Sequence, residues 1–224
     1  MTEVDWDITE EPASLLSALR NSASQRKLRL FGILCCRQAW DFVTEPAPDR
    51  VLDAAERYAD GALAESERCV AETEALDAYE RELERGDEFG LPVMDVVRLI
   101  GKAVYTADDA TGVASYVPVL ARYGERASFQ GISEDLQVEQ CLYIRELFRN
   151  PFRPVSFSPE WRTDTAVLLA RQMYEARDFS AMPILADALQ DAGCDNADIL
   201  SHCRDTSLAH VRGCWVIDLV LNKA

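Results

Sequence analysis

His210-Val-Arg-Gly-Cys-Trp-Val-Ile-Asp-Leu-Val-Leu221 is the stretch whose reading decides the fold. Its apolar residues, Val211, Cys214, Trp215, Leu219 and Val220, fit a buried strand as readily as one face of a helix, because a short apolar run has no clean period. A strand needs a hydrogen-bonded neighbour, and no other segment offers one. The stretch is therefore read as a helix. The whole protein is then all-α: an irregular multi-helix bundle with a smaller C-terminal helical module.

The segments upstream extend this reading. Residues 184–192 form a short helix ended by Gly193, the residue type that best follows a last helical turn. Asp195 or Asn196 caps another short helix ending near Arg204, and residues 205–209 form a loop. Pro159 opens an earlier helix, with Trp161 in its first turn and Leu168, Leu169, Met173 and Tyr174 on its inner face. Asn150-Pro-Phe-Arg-Pro154 cannot be helical, because Pro151 and Pro154 fix φ and remove two donors. It is expected to run extended, linking an N-terminal helical region (1–149) to the C-terminal module (150–224), packed either as two domains or as one.

In the N-terminal region the first twelve residues are acidic. Trp6 anchors them, and Pro12 sits in the first turn of a helix that turns Ile8, Leu15, Leu16 and Leu19 inward. A basic helix follows over residues 24–42, capped by Ser24, with Leu28, Leu30, Phe31, Leu34, Cys35, Ala39 and Phe42 close to a 3.6-residue period. Pro46 and Pro48 break the chain. A long acidic helix is then expected over residues 49–86, with an interruption at Gly61. Between residues 41 and 88 there are 16 acids and 5 bases. The basic helix reads as the neutralising partner of this acidic one, in preference to a patch for RNA or an acidic protein. Acids three or four apart, such as Asp49, Asp53, Glu56 and Asp60, stack on one face. They read as a solvated face, since no Glu-x-x-His motif of a carboxylate-bridged metal pair is present. Helices are also expected over residues 93–106 and 108–123, and one over 133–149 capped by Ser133. Leu136, Gln140, Tyr143, Ile144, Leu147 and Phe148 line one side of the last.

Composition limits the function classes. The net charge of −16 opposes nucleic-acid binding, because phosphate repels such a surface. It favours a protein partner. No apolar run approaches the ~20 residues of a membrane helix. Seven cysteines cannot all pair within one chain, and the acidic start does not resemble a signal peptide, so they read as reduced thiols of a cytoplasmic protein.

The most unusual chemistry lies near the C-terminus, where both histidines and three cysteines fall. Cys194, His202, Cys203, His210 and Cys214 are candidate zinc ligands, because thiolate and imidazole suit that ion. His210 and Cys214 are four apart and would share a helix face. No Cys-x-x-Cys pair is present, so plain burial of the same residues stands beside this reading. A second candidate is a nucleophile, Cys203 or Cys214, with His210 as base and Asp218 as orienter. A third is an anion-binding group of Arg153, Arg204 and Arg212, weighed against simple pairing with Asp187, Asp191, Asp195 and Asp198.

Four segments carry a resemblance: Ser24-Ala-Ser-Gln-Arg-Lys-Leu-Arg-Leu-Phe31, Asn150-Pro-Phe-Arg-Pro-Val155, Leu185-Ala-Asp-Ala-Leu-Gln-Asp-Ala-Gly-Cys194 and His210-Val-Arg-Gly-Cys-Trp-Val216. Together they resemble a family of uncharacterised bacterial proteins abundant in planctomycetes. The match covers both ends of the chain and leaves out residues 45–130. It brings no catalytic residue and implies a bacterial origin and a recurrent C-terminal module with an interaction or regulatory role. The expected function is accordingly a non-catalytic interaction or regulatory protein without a required cofactor. The rival is a zinc- or cysteine-dependent enzyme sited around His202 to Cys214, and a purely structural zinc site would combine the two.

Overall fold

The computed structural model describes residues 1–40, 49–64, 66, 67, 69, 70, 73 and 129–223. Among them the chain is helical, with nine α-helices and no strand, so the all-α reading holds. The rest of the acidic helix and the helices expected over 93–106 and 108–123 lie outside the described residues. Contacts divide the chain into two compact units. One holds Met1 and Ile8–Ile144, and the other holds Thr2–Asp7 and Arg145–Ala224.

The first unit contains α2 (Pro12–Leu19), α3 (Gln25–Trp40), α4 (Asp49–Ala59) and α5 (Phe129–Phe148) as far as Ile144. Pro12 starts α2 as expected, and Leu15, Leu16 and Leu19 are buried. Ile8 is 69% exposed, so it does not face inward. The Ser24 hydroxyl accepts the Lys27 backbone N–H at 3.3 Å and caps α3. Leu30, Phe31 and Cys35 are fully buried along that helix.

The basic and acidic helices pair as their charges require. Arg26 meets Asp60 at 2.8 Å, Arg37 meets Glu56 at 3.0 Å, and the Arg29 guanidinium lies over the Tyr58 ring. This corrects the solvated-face reading at Glu56, which is buried. Gly61, at φ 68°, interrupts the acidic segment. Ala62 N–H reaches the Arg57 carbonyl and Gly61 N–H that of Tyr58, the paired bonds that close a helix with a left-handed residue. Helix α5 starts at Phe129, upstream of the cap expected at Ser133. Its Gln140 amide donates to Gln38 Oε1 at 3.2 Å, and the Gln38 amide donates to Glu139 and to the Leu136 carbonyl.

The second unit holds nearly all of α1 (Glu3–Ile8), the end of α5, then α6 (Asp164–Ala176), α7 (Met182–Asp191), α8 (Ala197–Arg204) and α9 (Trp215–Leu221). Helix α6 packs against α7 and α9, and α8 packs against α7 and α9. Ala166, Ala170 and Ala186 are fully buried, and such small residues let helix axes approach. Leu185, Leu189, Ile199, Val216 and Ile217 fill the remaining space. Each contributes about 2 kcal/mol through its buried apolar area. Leu168, expected on the inner face, is 65% exposed.

Local chemistry sets the helix ends. Thr163 caps α6 by accepting from Ala166 N–H, and Asn196 caps α8 by accepting from Ile199 N–H at 3.1 Å. Pro159 opens only a 3-10 turn, Pro159–Trp161, because the better cap at Thr163 starts the α-helix four residues on. Residues 150–154 are a turn and not an extended linker. Asn150 Oδ1 accepts the Phe152 N–H at 2.8 Å, and the Asn150 carbonyl accepts Arg153 N–H at 3.2 Å. The unit begins at Arg145, upstream of that turn, and takes in Thr2–Asp7 from the other end of the chain. The Arg145 guanidinium donates twice to the Trp6 carbonyl, at 3.0 and 2.8 Å, and the Trp6 side chain is buried.

Candidate metal centre

Three pieces of the second unit converge on one cluster: Glu146 near the end of α5, His202 in the last turn of α8, and His210 and Cys214 flanking the turn before α9. One ligand atom from each lies within 4.8 Å of the others. His210 and Cys214 do not share a helix face, because α9 begins only at Trp215. A tight turn brings them together instead. Cys214 N–H donates to the Val211 carbonyl at 2.9 Å, and Gly213 takes φ 92°, the sign that such a turn demands of its third residue.

Glu146 is the hub. Its Oε1 lies 2.9 Å from His210 Nδ1 and its Oε2 lies 3.3 Å from His202 Nε2. Burial alone would raise its pKa. The hydrogen bonds and charges of His202 and His210 outweigh burial and hold it at about 2. Cys214 Sγ lies 3.3 Å from His202 Nε2. On the far side of the His202 ring, the Trp215 indole N–H donates to Nδ1 at 3.3 Å. An indole can only donate, so Nδ1 is the ring's acceptor and its hydrogen sits on Nε2. The rings of His202 and His210 meet edge to face with centroids 5.0 Å apart.

The donor set suits zinc: one thiol, two imidazoles and one carboxylate are each donor types that ion takes. Of the five candidates read from sequence, His202, His210 and Cys214 belong to the cluster. Cys194 and Cys203 lie outside it, buried like Cys214 in the apolar core of the same unit. Glu146 was missed. The only sign it gave was a carboxylate set in the apolar run Ile144, Leu147 and Phe148.

The nucleophile reading turns on two buried thiols. Burial, then the Glu146 carboxylate, push Cys203 up to about 12 and Cys214 well above an ordinary thiol. A cavity of about 470 Å³ lies beside the cluster, walled by Arg177, Phe179, Met182, Cys203 and His210 among others, and Cys214 is not one of its lining residues. The three arginines do not form one group. Arg153 pairs with Glu3 and Asp7, Arg204 meets Asp187 at 3.0 Å and Gln190 at 2.6 Å, and Arg212 lies over the Tyr174 ring at 4.5 Å. Of the seven cysteines six are buried, and Cys69 alone is exposed.

Among the described residues no helix is long and apolar enough to cross a membrane. Comparison of the chain with protein-family models, with curated proteins and with solved structures gave no match.

Proposed function

We propose that the second unit is a zinc-binding module whose ion is structural, within a protein that acts by interaction or regulation and not by catalysis. The observation that carries this reading is the convergence of Glu146, His202, His210 and Cys214 within 4.8 Å. Catalytic zinc keeps a position for water or substrate, whereas four protein ligands close the site. The ion would tie α5, α8 and the turn before α9 to one point. The resemblance of the C-terminal segments to a recurrent bacterial module supports an interaction role. The charge of −16 favours a protein partner over nucleic acid. Seven cysteines in the thiol form suit a reducing cytoplasm, where thiols stay available.

Elemental analysis of the purified full chain tests the reading. About one zinc per chain is expected. Binding should be lost in Cys214→Ser and His210→Ala and kept in Cys194→Ser, whose thiol lies outside the cluster. A wild-type chain that takes up no zinc from micromolar solution, or a Cys194→Ser chain that loses it, dismisses the site.

A further inference from the structure

A metal-ligating histidine normally donates its second ring N–H to a carboxylate, a carbonyl or water, and this fixes the tautomer that leaves the ligating nitrogen bare. His210 turns Nδ1 toward Oε1 of Glu146, a fellow ligand, at 2.9 Å. On His202 the second ring nitrogen meets a donor instead. The nitrogen turned toward Glu146 and Cys214 is Nε2, while Nδ1 accepts from the Trp215 indole at 3.3 Å. A cation on Nε2 requires the ring hydrogen on Nδ1. That would set two N–H donors facing each other across the same 3.3 Å, an arrangement that holds no hydrogen bond.

We propose that the centre is a metal-responsive switch, in which a borderline divalent cation such as Zn²⁺ binding His202 Nε2 breaks the Trp215–His202 hydrogen bond and displaces the indole at the start of α9. The inference rests on the metal reading given above and adds its regulation. Without the ion the four side chains satisfy one another: Glu146 takes both imidazoles and the indole takes His202 Nδ1. The metal-free cluster is thus a defined state of its own. Trp215 is buried and belongs to the core of the unit together with Val216, Ile217 and Val220. A shift of its ring therefore reaches the packing of α9 on α6. The cation favours one of two arrangements only through its different affinity for them, and the indole hydrogen bond is what the metal-free arrangement holds in its favour.

The experiment uses the full chain, stripped of metal and titrated with Zn²⁺ alone, with bound zinc counted in parallel by equilibrium dialysis. The chain has only two histidines, so long-range ¹H–¹⁵N spectra of the imidazoles can be read without a variant. The expected result is His202 with its hydrogen on Nε2 before zinc and on Nδ1 after it, with a moved Trp215 indole resonance. That resonance is assigned by its loss in Trp215→Phe. The same variant lacks the competing hydrogen bond and should bind zinc about threefold to tenfold more tightly, the factor that one net hydrogen bond is worth. Zinc bound with the His202 tautomer and the Trp215 resonance unchanged overturns the switch and leaves the metal site standing. No bound zinc overturns both.

Discussion

Glu146 carries its charge where burial opposes it, and two imidazoles hold it there. Its carboxyl is held at about 2 against an ordinary 4.5, so the folded chain binds this proton less tightly than the unfolded chain does. The stability it contributes is complete above pH 4.5 and is lost as the pH falls through that window toward 2. Glu146→Gln removes the charge and leaves one imidazole facing an amide NH2 in place of an oxygen, and should cost about 3 kcal/mol in metal-free protein at neutral pH. Urea denaturation at several pH values checks this: the gap between wild type and variant should narrow as the pH drops from 5 to 2.5. At this scale the sequence was only partly legible. His202, His210 and Cys214 announced themselves by residue type. Glu146 did not, because the role of a carboxylate is set by groups far along the chain. Cys203 and Cys214 are the same residue type and both are buried in the core of the unit, and only their places in the fold bring Cys214 and not Cys203 to the cluster.

The helix ends were more legible, since their causes are local. Gly193 was expected after a last turn and occupies it at φ 88°, with Cys194 N–H reaching the Leu189 carbonyl at 2.9 Å. Asn222 closes α9 in the same way at φ 54°, a role that its short polar side chain tolerates. A Cβ added at Gly193 would meet nothing within 4 Å, so Gly193→Ala costs only the left-handed backbone, about 1–2 kcal/mol. Asn196→Ala should cost about 1 kcal/mol through the lost cap. Thermal denaturation of the two single variants and their combination measures both. Where expectation failed at this scale, a neighbouring residue offered something better. Thr163 outcompetes Pro159 as a helix start, and the Asn150 side chain folds residues 150–154 into a turn that two prolines alone would leave extended.

At the scale of the whole molecule, all-α architecture could be read because apolar spacing carries it. The division into units was legible in part: a break was expected at residues 149–150 and lies at 144–145, while the place of Thr2–Asp7 is decided by contacts between distant segments. Thr2–Asp7 belongs with the C-terminal residues, held there in part by the two bonds from Arg145 to the Trp6 carbonyl. Trp6→Ala should therefore destabilise the protein by about 3–5 kcal/mol, although it lies in the acidic first turn of the chain. Urea titration followed by circular dichroism reads the loss. Charge balance was legible as well: Arg26 and Arg37 meet Asp60 and Glu56 as the runs of opposite sign implied. The burial of six thiols leaves Cys69 as the one exposed cysteine. The protein thus comes with one natural attachment point for a dye, spin probe or surface tether, on the first unit and away from the cluster of Glu146, His202, His210 and Cys214 in sequence, so that conjugation there spares the groups on which metal capture depends.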